Sequence, residues 1–576
     1  MDRIWFPRYN DDSAVRGRSV PGAPASRVAK KKVLMLAQTA MLQWESVLEP
    51  ENVITEREPL RAAATATFHV DQRIPAILRP ATREQVQQAL RIASKFGVPV
   101  YPVSSGKNWG YGSGTPASDG CVLLDLSRMN RILDFNEDLG YVSVEPGVTQ
   151  GQLFAFLRSR NSRLWIDATG SSPECSLIGN TIERGFGHTP YGDHFGNVCG
   201  FEIVLATGEK LETGAARFPG SPAAPVYRWG LGPSLDGLFT QSNFGVVTRM
   251  TFWLMPAPEY FQAFFFRCDE DEDLPAIIDA LRRLRMSGTL RSAIHVGNDY
   301  KVLAGMQQYP WKETGGSTPL TPDQMGAFRR RMNFGAWNGS GGLYGTRAQV
   351  AEARRLLRRE LAGKVSRLQF LDDRRLALAS RFSGLFRLIS RWDLSRALEL
   401  VRPLYGLLKG QPSDRPLASA YWRKRTPPPE QLDPDRDRCG LLWCSPVAPA
   451  EGGHAQTLAS LSSQVLLRHG FEPMLSITLI TERALICVIS ITYDRESPGE
   501  DERAMACYAE LQKELSAKGY IPYRLGIQSM GEMDAHGPYA RFLEAVKRAA
   551  DPAGILAPGR YEAVRVQTVG DSRTGS

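Results

Sequence analysis

A glycine-rich loop is the first stretch of this chain whose residue types are suited to chemistry. Residues 100–125 read VYPVSSGKNWGYGSGTPASDGCVLLD, and four glycines fall within nine residues, with small polar side chains between them. Glycine permits positive φ and has no Cβ, so the backbone N–H groups of such a loop can close around an anion. The loop matches neither GxxxxGK[ST] nor a G-x-G-x-x-G turn that opens a helix. Taken alone, it fits both a pyrophosphate site and a plain turn.

Regular elements must position this loop. Residues 76–78 are strand-like, Thr82 begins a helix that is periodic over residues 85–96 and ends at Gly97, and residues 98–103 form a second strand. The loop therefore follows a strand–helix–strand unit. The pattern also predicts a helix over residues 33–48, strands at 121–126 and 141–145, a helix over 149–160, and a strand pair at 200–206 and 209–212.

A domain boundary is expected near Pro256 to Pro258, where a proline-containing hinge follows an apolar strand. Beyond it, residues 261–266 begin new material in which helices alternate with strand candidates, with helices predicted over residues 274–285, 321–332 and 348–362. Residues 411–438 are polar and rich in proline, which predicts a long surface loop.

Length and charge limit the function classes. A chain of 576 residues exceeds the size at which one core stops growing, so two or more domains are expected. The net charge of +9 comes from 70 basic against 61 acidic residues that are dispersed along the chain. A dispersed excess is typical of a solvated surface, so we expect no nucleic-acid partner.

The cysteines and the apolar runs argue against disulfide-rich, metal-binding and membrane-spanning proteins. The eight cysteines contain no CxxC pair, so neither a disulfide framework nor a metal site is expected. No apolar run reaches the ~18 residues that a membrane helix needs. The first residues lack the apolar region of a secretory signal, and we expect a cytoplasmic protein without a membrane span.

Several longer segments, distributed over residues 53–561, resemble the vanillyl-alcohol oxidase and p-cresol methylhydroxylase family of flavoproteins. The resemblance implies FAD as the cofactor and an α+β fold, in which a two-part FAD-binding domain of the p-cresol methylhydroxylase type carries an α/β substrate cap domain. The segments that carry it are SSGKNWGYGSG, GYVSVEPGVTQGQL, GNTIERGFGHTPYGDHFGNVCGFEIVLATGE, GLGPSLDGLFTQSNFGVVTRMTFWLMPAP, GLLWCSP, YIPYR and DPAGILAPGRY.

The resemblance and the composition together divide the chain into five parts. Residues 1–32 are a flexible arm, residues 33–258 the FAD-binding domain, and residues 259–520 the substrate cap. Residues 521–565 complete the FAD domain and the pocket, and residues 566–576 are a flexible tail.

Two glycine-bearing loops, residues 104–112 and 179–187, are implied by the resemblance to supply backbone donors to the pyrophosphate and adenine of FAD. The motifs EPGVT and GNTIERG line the same cofactor in the family. The implied contacts are Ser104, Ser105, Gly106, Lys107, Asn108, Gly110, Gly112, Pro146, Gly147, Gly179, Asn180, Gly187, Tyr191, Val247 and Arg560.

The family oxidises phenols with a pair of tyrosines and an arginine, whose positions are filled here by Tyr111, Tyr523 and Arg524. Arg560 matches an arginine of the methylhydroxylase branch. A free phenol has a pKa of about 10, and lowering that pKa by three units takes roughly 4 kcal/mol. Charge-assisted hydrogen bonds contribute about 1.5–3 kcal/mol each, so three such groups suffice. The expected reaction is hydride removal from the benzylic or allylic carbon of a para-substituted phenol through a quinone methide.

The chain departs from the family at the position that links the flavin covalently, where it carries Leu441. FAD is therefore expected to be non-covalent, unless Cys444 is the linking group. His69 falls near a histidine that promotes linkage in the oxidase branch. Asp437 is assigned an acid/base role, and Glu482 or water is the alternative base, because the aspartate that the oxidase branch keeps near the flavin is absent here.

Two other functions stay open, namely a flavin oxidase of a larger, non-phenolic metabolite and a non-redox FAD-dependent transferase of the same fold. The electron acceptor is oxygen or an electron-accepting protein such as a cytochrome c, and the methylhydroxylase-like motifs favour the protein. By analogy with the family, a homodimer or larger homo-oligomer is expected.

Overall fold

The computed structural model describes residues 27–378, 381, 394–533 and 536–562. Its helices are α1 Arg27–Leu48, α2 Arg57–Ala63, α3 Arg83–Phe96, α4 Gln150–Ser159, α5 Leu177–Ile182, α6 Leu274–Met286, α7 Asp299–Met306, α8 Pro322–Met332, α9 Arg347–Leu361, α10 Leu394–Leu407, α11 Gly452–Arg468, α12 Glu500–Ala517 and α13 Gly537–Ala550. Its strands are β1 Val53–Ile54, β2 Ile77–Leu78, β3 Val100–Val103, β4 Val122–Asp125, β5 Ile132–Asn136, β6 Tyr141–Val144, β7 Leu164–Trp165, β8 Val198–Val204, β9 Lys210–Glu212, β10 Val246–Trp253, β11 Met255–Pro256, β12 Tyr260–Cys268, β13 Ile294–Asn298, β14 Trp337–Gly345, β15 Arg367–Leu371, β16 Cys439–Cys444, β17 Val447–Pro449, β18 Met474–Leu479 and β19 Ala484–Asp494.

The glycine loop connects β3 to β4 within a four-stranded sheet of order β1-β2-β4-β3, in which β2 and β3 flank β4 in parallel. Helix α3 connects β2 to β3 as the sequence pattern predicts. Thr82 caps its start by accepting a hydrogen bond from the Gln85 N–H, and Gly97 ends it with a φ of 63°. Glycine is favoured at this position because other residues are strained at positive φ.

The end of the described chain joins this first sheet. The Val100 N–H donates to the Ile555 carbonyl at 2.8 Å, and the Ala557 N–H donates to the Val100 carbonyl at 2.8 Å. Residues 555–557 therefore form a β-bridge with β3 at the edge of this sheet, beside the glycine loop. The division of the chain into five domains and segments remains a prediction.

Two larger sheets complete the architecture. An antiparallel sheet with the order β5-β6-β10-β8-β9 follows the first, and β7 pairs with β11 beside it. The third sheet has the order β15-β12-β14-β13-β18-β19-β16, and β17 pairs with β19. Ile294, Val296 and Ile477 on this third sheet share one core with apolar residues of α6, α11 and α12. The α+β class is thus confirmed.

The predicted surface loop over residues 411–438 is wrong for residues 415–424, whereas residues 425–431 are exposed and irregular. A 3-10 helix, Arg415–Tyr421, lies inside it, and Trp422 is fully buried. The Arg423 guanidinium pairs with Glu472 at 2.8 Å, and the Lys424 ammonium pairs with Asp494 at 2.9 Å. A polar composition usually indicates an exposed loop. Here the charged side chains are buried, because each has a carboxylate partner inside the protein.

Helix α1 begins at Arg27, so it includes the last residues of the segment predicted as an N-terminal arm. Residues 1–26 and the tail from residue 563 lie outside the described residues. All eight cysteines are free and buried. Within the described part of the chain, no helix has the length and apolar character needed to cross a membrane.

Asp551→Ala should destabilise the contact between the chain end and the first sheet. The buried Asp551 carboxylate accepts hydrogen bonds from the Ile555 N–H at 3.0 Å and the Leu556 N–H at 2.8 Å, and it pairs with Lys547. Leaving those groups without a partner costs about 2–4 kcal/mol. We expect the thermal melting temperature, followed by circular dichroism, to fall by several degrees.

Asp138→Ala is the matched control, because that carboxylate is 92% exposed and such substitutions change stability by about 0.5 kcal/mol or less. Equal melting temperatures for the two variants would contradict the role given to Asp551.

Candidate active site

A cavity of about 480 Å³ lies between the glycine loop, the C-terminal segment and the third sheet. Its lining combines residues that are hundreds of positions apart in the sequence, such as Ser104, His295 and Arg524. Large internal cavities of this kind are the usual place for a cofactor or substrate.

One wall of the cavity is built from the glycine loop and α5. The Ser176 N–H donates to Ser105 Oγ at 3.0 Å, and Ser176 Oγ donates to the Pro146 carbonyl at 2.6 Å while accepting from the Gly179 N–H at 2.9 Å. A Cβ added at Gly179 would lie 2.5 Å from Ser104 Oγ. The loop and the helix thus approach each other as closely as a glycine backbone allows.

Most of the implied cofactor contacts lie on the cavity wall, and five do not. A Cβ at Gly110 would meet the Trp443 ring at 3.0 Å, and one at Gly112 would meet Ile527 at 2.6 Å, so these glycines are required by packing. Those on the wall are Ser104, Ser105, Gly106, Lys107, Asn108, Pro146, Gly179, Asn180, Val247 and Arg560, and those outside it are Gly110, Gly112, Gly147, Gly187 and Tyr191.

Tyr111, Tyr523 and Arg524 meet at one part of the cavity. The Arg524 guanidinium carbon lies 3.9 Å from the centre of the Tyr111 ring and 5.4 Å from the centre of the Tyr523 ring. Arg524 Nε is buried and has no hydrogen-bond partner among the residues that the structure describes. Burial raises the pKa of Tyr523 well above its ordinary value, despite the nearby arginine, so its hydroxyl stays protonated and can donate. The group is therefore arranged to receive an anionic oxygen.

Three parts of the chain hold this group in place. Tyr111 O–H and Ser445 Oγ share a hydrogen bond of 2.7 Å, and the Tyr523 N–H donates to the Ser445 carbonyl at 3.1 Å. The Ile527 N–H donates to the Tyr111 carbonyl at 2.9 Å. Ser445, which the sequence did not single out, thereby ties both tyrosines to the strand that ends at residue 444.

Arg560 belongs to a paired network at another part of the wall. Its guanidinium donates to the Tyr101 hydroxyl oxygen at 2.9 Å and to the Glu183 carboxylate, which also accepts from Tyr561 O–H at 3.0 Å. Glu183 is the cavity's only carboxylate among the described residues. Arg560 is thus neutralised within the protein, whereas Arg524 is not.

The structure does not bring Asp437 to the cavity. Its carboxylate accepts hydrogen bonds from Tyr421 O–H and Arg436, and it lies outside the lining. A different carboxyl, Asp435, accepts from Ser113 Oγ at 2.7 Å behind the glycine loop, and burial raises its pKa to about 7. Glu482, the alternative base, is half exposed near Arg285 and also lies outside the lining.

Leu441 lines the cavity and is buried, and its side chain has no atom that can form a covalent bond to a cofactor. The alternative linking group, Cys444, is buried outside the lining, and burial raises the pKa of its thiol to about 12. His69 contacts Asp71 with its side chain 63% exposed and does not reach the cavity.

One face of the third sheet forms the remaining wall, and sequence reasoning missed it. His295 pairs with Ser340 and Thr478 on the neighbouring strands, while Gly297 pairs with Asn338 and Ser476. All six residues line the cavity. In the sequence, apolar Ile294 and Val296 alternate with His295 and Gly297, which indicates a strand with one apolar face. This pattern does not show whether the other face lines a cavity or contacts solvent.

Comparisons with known proteins identify what this chain is similar to. Residues 74–214 match the family model described as an FAD binding domain. The chain is 45% identical over 527 residues to 1'-carboxy-chondrochloren decarboxylase of Chondromyces crocatus, covering 91% of this chain and 97% of that protein. It is 32% identical over 527 residues to the 4-cresol dehydrogenase [hydroxylating] flavoprotein subunit of Pseudomonas putida, covering 90% of this chain and 94% of that protein.

A solved structure is also similar to this chain over most of its length. The 4-ethylphenol oxidase of Gulosibacter chungangensis, in a complex with isoeugenol, superposes with a TM-score of 0.83 at 29% identity, covering 92% of this chain and 97% of that structure. The similarity therefore extends over the whole architecture and not the first domain alone.

The wall made by the glycine loop and α5 fits FAD. Gly106 lies at a φ of 68° and Gly179 has no room for a Cβ, so both positions expose backbone at the cavity. Lys107 is also on the wall, although its ammonium pairs with Asp433 at 2.8 Å. Exposed backbone donors with small hydroxyl side chains are the groups that dinucleotide phosphates require.

Gly179→Ala tests this cradle. The added Cβ would force Ser104 Oγ away, and we expect FAD to bind about tenfold more weakly, a loss of about 1.4 kcal/mol. The measurement is the flavin-to-protein ratio after dialysis together with titration of the apoprotein with FAD. Gly237→Ala is the control, since a Cβ there meets open space. Unchanged FAD affinity in Gly179→Ala would remove α5 from the cofactor site.

Proposed function

The chain belongs to the vanillyl-alcohol oxidase and p-cresol methylhydroxylase family of FAD-dependent oxidoreductases, and we propose that it removes a hydride from the benzylic or allylic carbon of a para-substituted phenol. The observation that carries this proposal is the meeting of Tyr111, Tyr523 and an Arg524 whose Nε is buried without a partner among the described residues. The phenolic names of two similar proteins support it as well.

The three side chains act on the phenol oxygen of the substrate. Arg524 supplies a permanent positive charge, and the Tyr523 hydroxyl donates a hydrogen bond to the ionised oxygen. The Tyr111 hydroxyl donates a second one while it accepts its hydrogen bond from Ser445 Oγ. Lowering a phenol pKa of about 10 by three units takes roughly 4 kcal/mol, which this set provides at about 1.5–3 kcal/mol for each charged hydrogen bond. Ionisation moves electron density toward the para position and so favours departure of a hydride from the benzylic carbon.

When bound, FAD supplies the two-electron acceptor for that hydride. The substrate is left as a quinone methide, which a nucleophile such as water can attack at the benzylic carbon. Neither Asp437 nor Glu482 lines the cavity. We therefore propose that neither residue acts as a base in this reaction.

A second candidate reaction is oxidative decarboxylation, which the name of the relative at 45% identity favours. In a substrate whose carboxylate sits one carbon beyond the benzylic position, hydride loss and phenol ionisation again give the quinone methide. The carbon–carboxylate bond then breaks, its electron pair forms the new C=C bond and restores the aromatic phenolate, and CO₂ leaves. The same three residues serve both reactions up to the quinone methide.

Further properties rest on the family resemblance alone. We propose that oxygen or an electron-accepting protein such as a cytochrome c regenerates the oxidised enzyme. A homodimer or larger homo-oligomer is proposed on the same basis. A cytoplasmic location is proposed from the sequence.

Arg524→Gln tests the phenol site. Removing the charge should slow anaerobic flavin reduction by 4-ethylphenol about 10- to 100-fold, because a charged hydrogen bond of 1.5–3 kcal/mol is lost. The variant should also bind 4-nitrophenol with less of the visible absorption of the phenolate form at pH 6. Arg163→Gln, at an arginine that is 82% exposed, is the control. Equal reduction rates in both variants would contradict the phenol assignment.

Non-covalent FAD is tested by acid precipitation of the purified protein. Because Leu441 cannot form a bond and Cys444 lies outside the cavity, we expect the yellow colour in the supernatant. Flavin fluorescence retained by the denatured protein band on a gel would show a covalent link and overturn this expectation.

A further inference from the structure

Two cations on the cavity wall have no carboxylate partner among the residues that the structure describes. Lys301 Nζ makes a hydrogen bond of 3.0 Å to Ser419 Oγ. Arg415 Nε is buried without a hydrogen-bond partner in the described part of the chain. Both residues line the cavity, and neither forms an ion pair with any carboxylate within the described ranges.

Lys301 lies on α7, directly after β13, and Arg415 lies on a 3-10 helix that contacts it. Arg415 and Ser419 lie on the same 3-10 helix, Arg415–Tyr421, so the Lys301–Ser419 hydrogen bond brings Lys301 to the helix that carries Arg415. A Cβ added at Gly297 would lie 3.5 Å from Lys301 Cγ, which places the lysine stem over the cavity face of β13.

The surroundings of Lys301 are polar and uncharged. His295, two residues before Gly297 on the same face of β13, stacks on His188 at 4.3 Å between ring centres. Burial and the neighbouring His188 lower the pKa of His295 well below its ordinary value, so the ring is neutral. Its Nδ1 shares a hydrogen bond of 3.0 Å with Thr478 Oγ1, and its Nε2 is buried without a partner among the described residues.

An unpaired ammonium in such a place is unfavourable unless a ligand neutralises it. Burial lowers the pKa of Lys301 to about 8, and no carboxylate offsets this. At neutral pH the ammonium is still present and would gain from an anion brought into the cavity.

We propose that Lys301 and Arg415 form a carboxylate-binding subsite, so that the substrate is a para-substituted phenol whose side chain carries a carboxylate. This inference rests on the proposed phenol oxidation at Tyr111, Tyr523 and Arg524. His295 Nε2 adds a neutral hydrogen-bonding group on the same wall. The subsite lies on β13, α7 and the 3-10 helix, whereas the glycine loop and α5 hold the groups assigned to the FAD phosphates.

Lys301→Met tests the subsite with two matched ligands, 3-(4-hydroxyphenyl)propanoate and 4-propylphenol, which share the phenol and differ in the carboxylate. In anaerobic flavin reduction the variant should raise the half-saturating concentration of the propanoate about 10- to 100-fold. The value for 4-propylphenol should stay within about twofold, because that ligand makes no charged contact here. Arg415→Gln should show the same selective loss.

Control measurements separate the subsite from folding and from cofactor binding. Lys518→Met, at an exposed lysine on another part of the surface, should behave as wild type with both ligands. Lys301→Met should melt no lower than wild type, since it removes an unpaired buried charge. A variant that loses FAD would overturn the proposal, because the cation would then serve the cofactor.

The outcomes distinguish this inference from the proposed function. Suppose that 4-propylphenol reduces the flavin, and that Lys301→Met raises the half-saturating concentrations of both ligands equally or changes neither. The carboxylate subsite is then wrong, and the proposed phenol oxidation stands. If no phenol reduces the flavin, phenol oxidation fails, and the subsite is then judged by direct binding of the propanoate, followed as a perturbation of the flavin spectrum. Equal propanoate affinity in wild type and Lys301→Met would overturn it in that case too.

Discussion

A guanidinium enclosed against an aromatic ring is the interaction on which the active site depends. Arg524 lies 3.9 Å from the Tyr111 ring centre and retains a buried, unpartnered Nε among the described residues. An aromatic face stabilises a cation without neutralising it, in contrast to a carboxylate. The positive charge of Arg524 therefore remains available to a ligand, whereas the charge of Arg560 is already used by Glu183.

That arrangement requires the distant parts of the chain to fold together. Tyr111 lies in the loop between β3 and β4 of the first sheet, Ser445 follows β16 of the third sheet, and Arg524 lies in the C-terminal segment. Backbone hydrogen bonds from Ile527 to Tyr111 and from Tyr523 to Ser445 fix the three regions to one another. The bridge of Val100 with Ile555 and Ala557 returns the chain end to the first sheet, so the site is assembled only in the complete fold.

The sequence predicted the local elements better than the walls of the cavity. Thr82 and Gly97 marked the limits of α3 because their roles are set by neighbouring backbone groups. The glycine loop was found, but not which of its glycines face the cavity, since Gly110 and Gly112 are required by Trp443 and Ile527, which lie hundreds of residues away. Within residues 411–438, the stretch 415–424 is buried against expectation, because only the folded chain shows that Arg423 and Lys424 contact buried carboxylates.

The distribution of paired and unpaired cations carries the functional argument furthest. Lys107 and Arg560 on the cavity wall have carboxylate partners, whereas Lys301, Arg415 and Arg524 have none among the described residues. Enclosing a charge is costly when nothing compensates it, so unpaired cations persist where a ligand brings the opposite charge. Arg524 lies beside the two tyrosines that can bind a phenolate. Lys301 and Arg415 lie on α7 and on the 3-10 helix, which contain none of these three residues. Two separate positive regions in one cavity fit a substrate with an anionic oxygen at each end better than a simple alkylphenol.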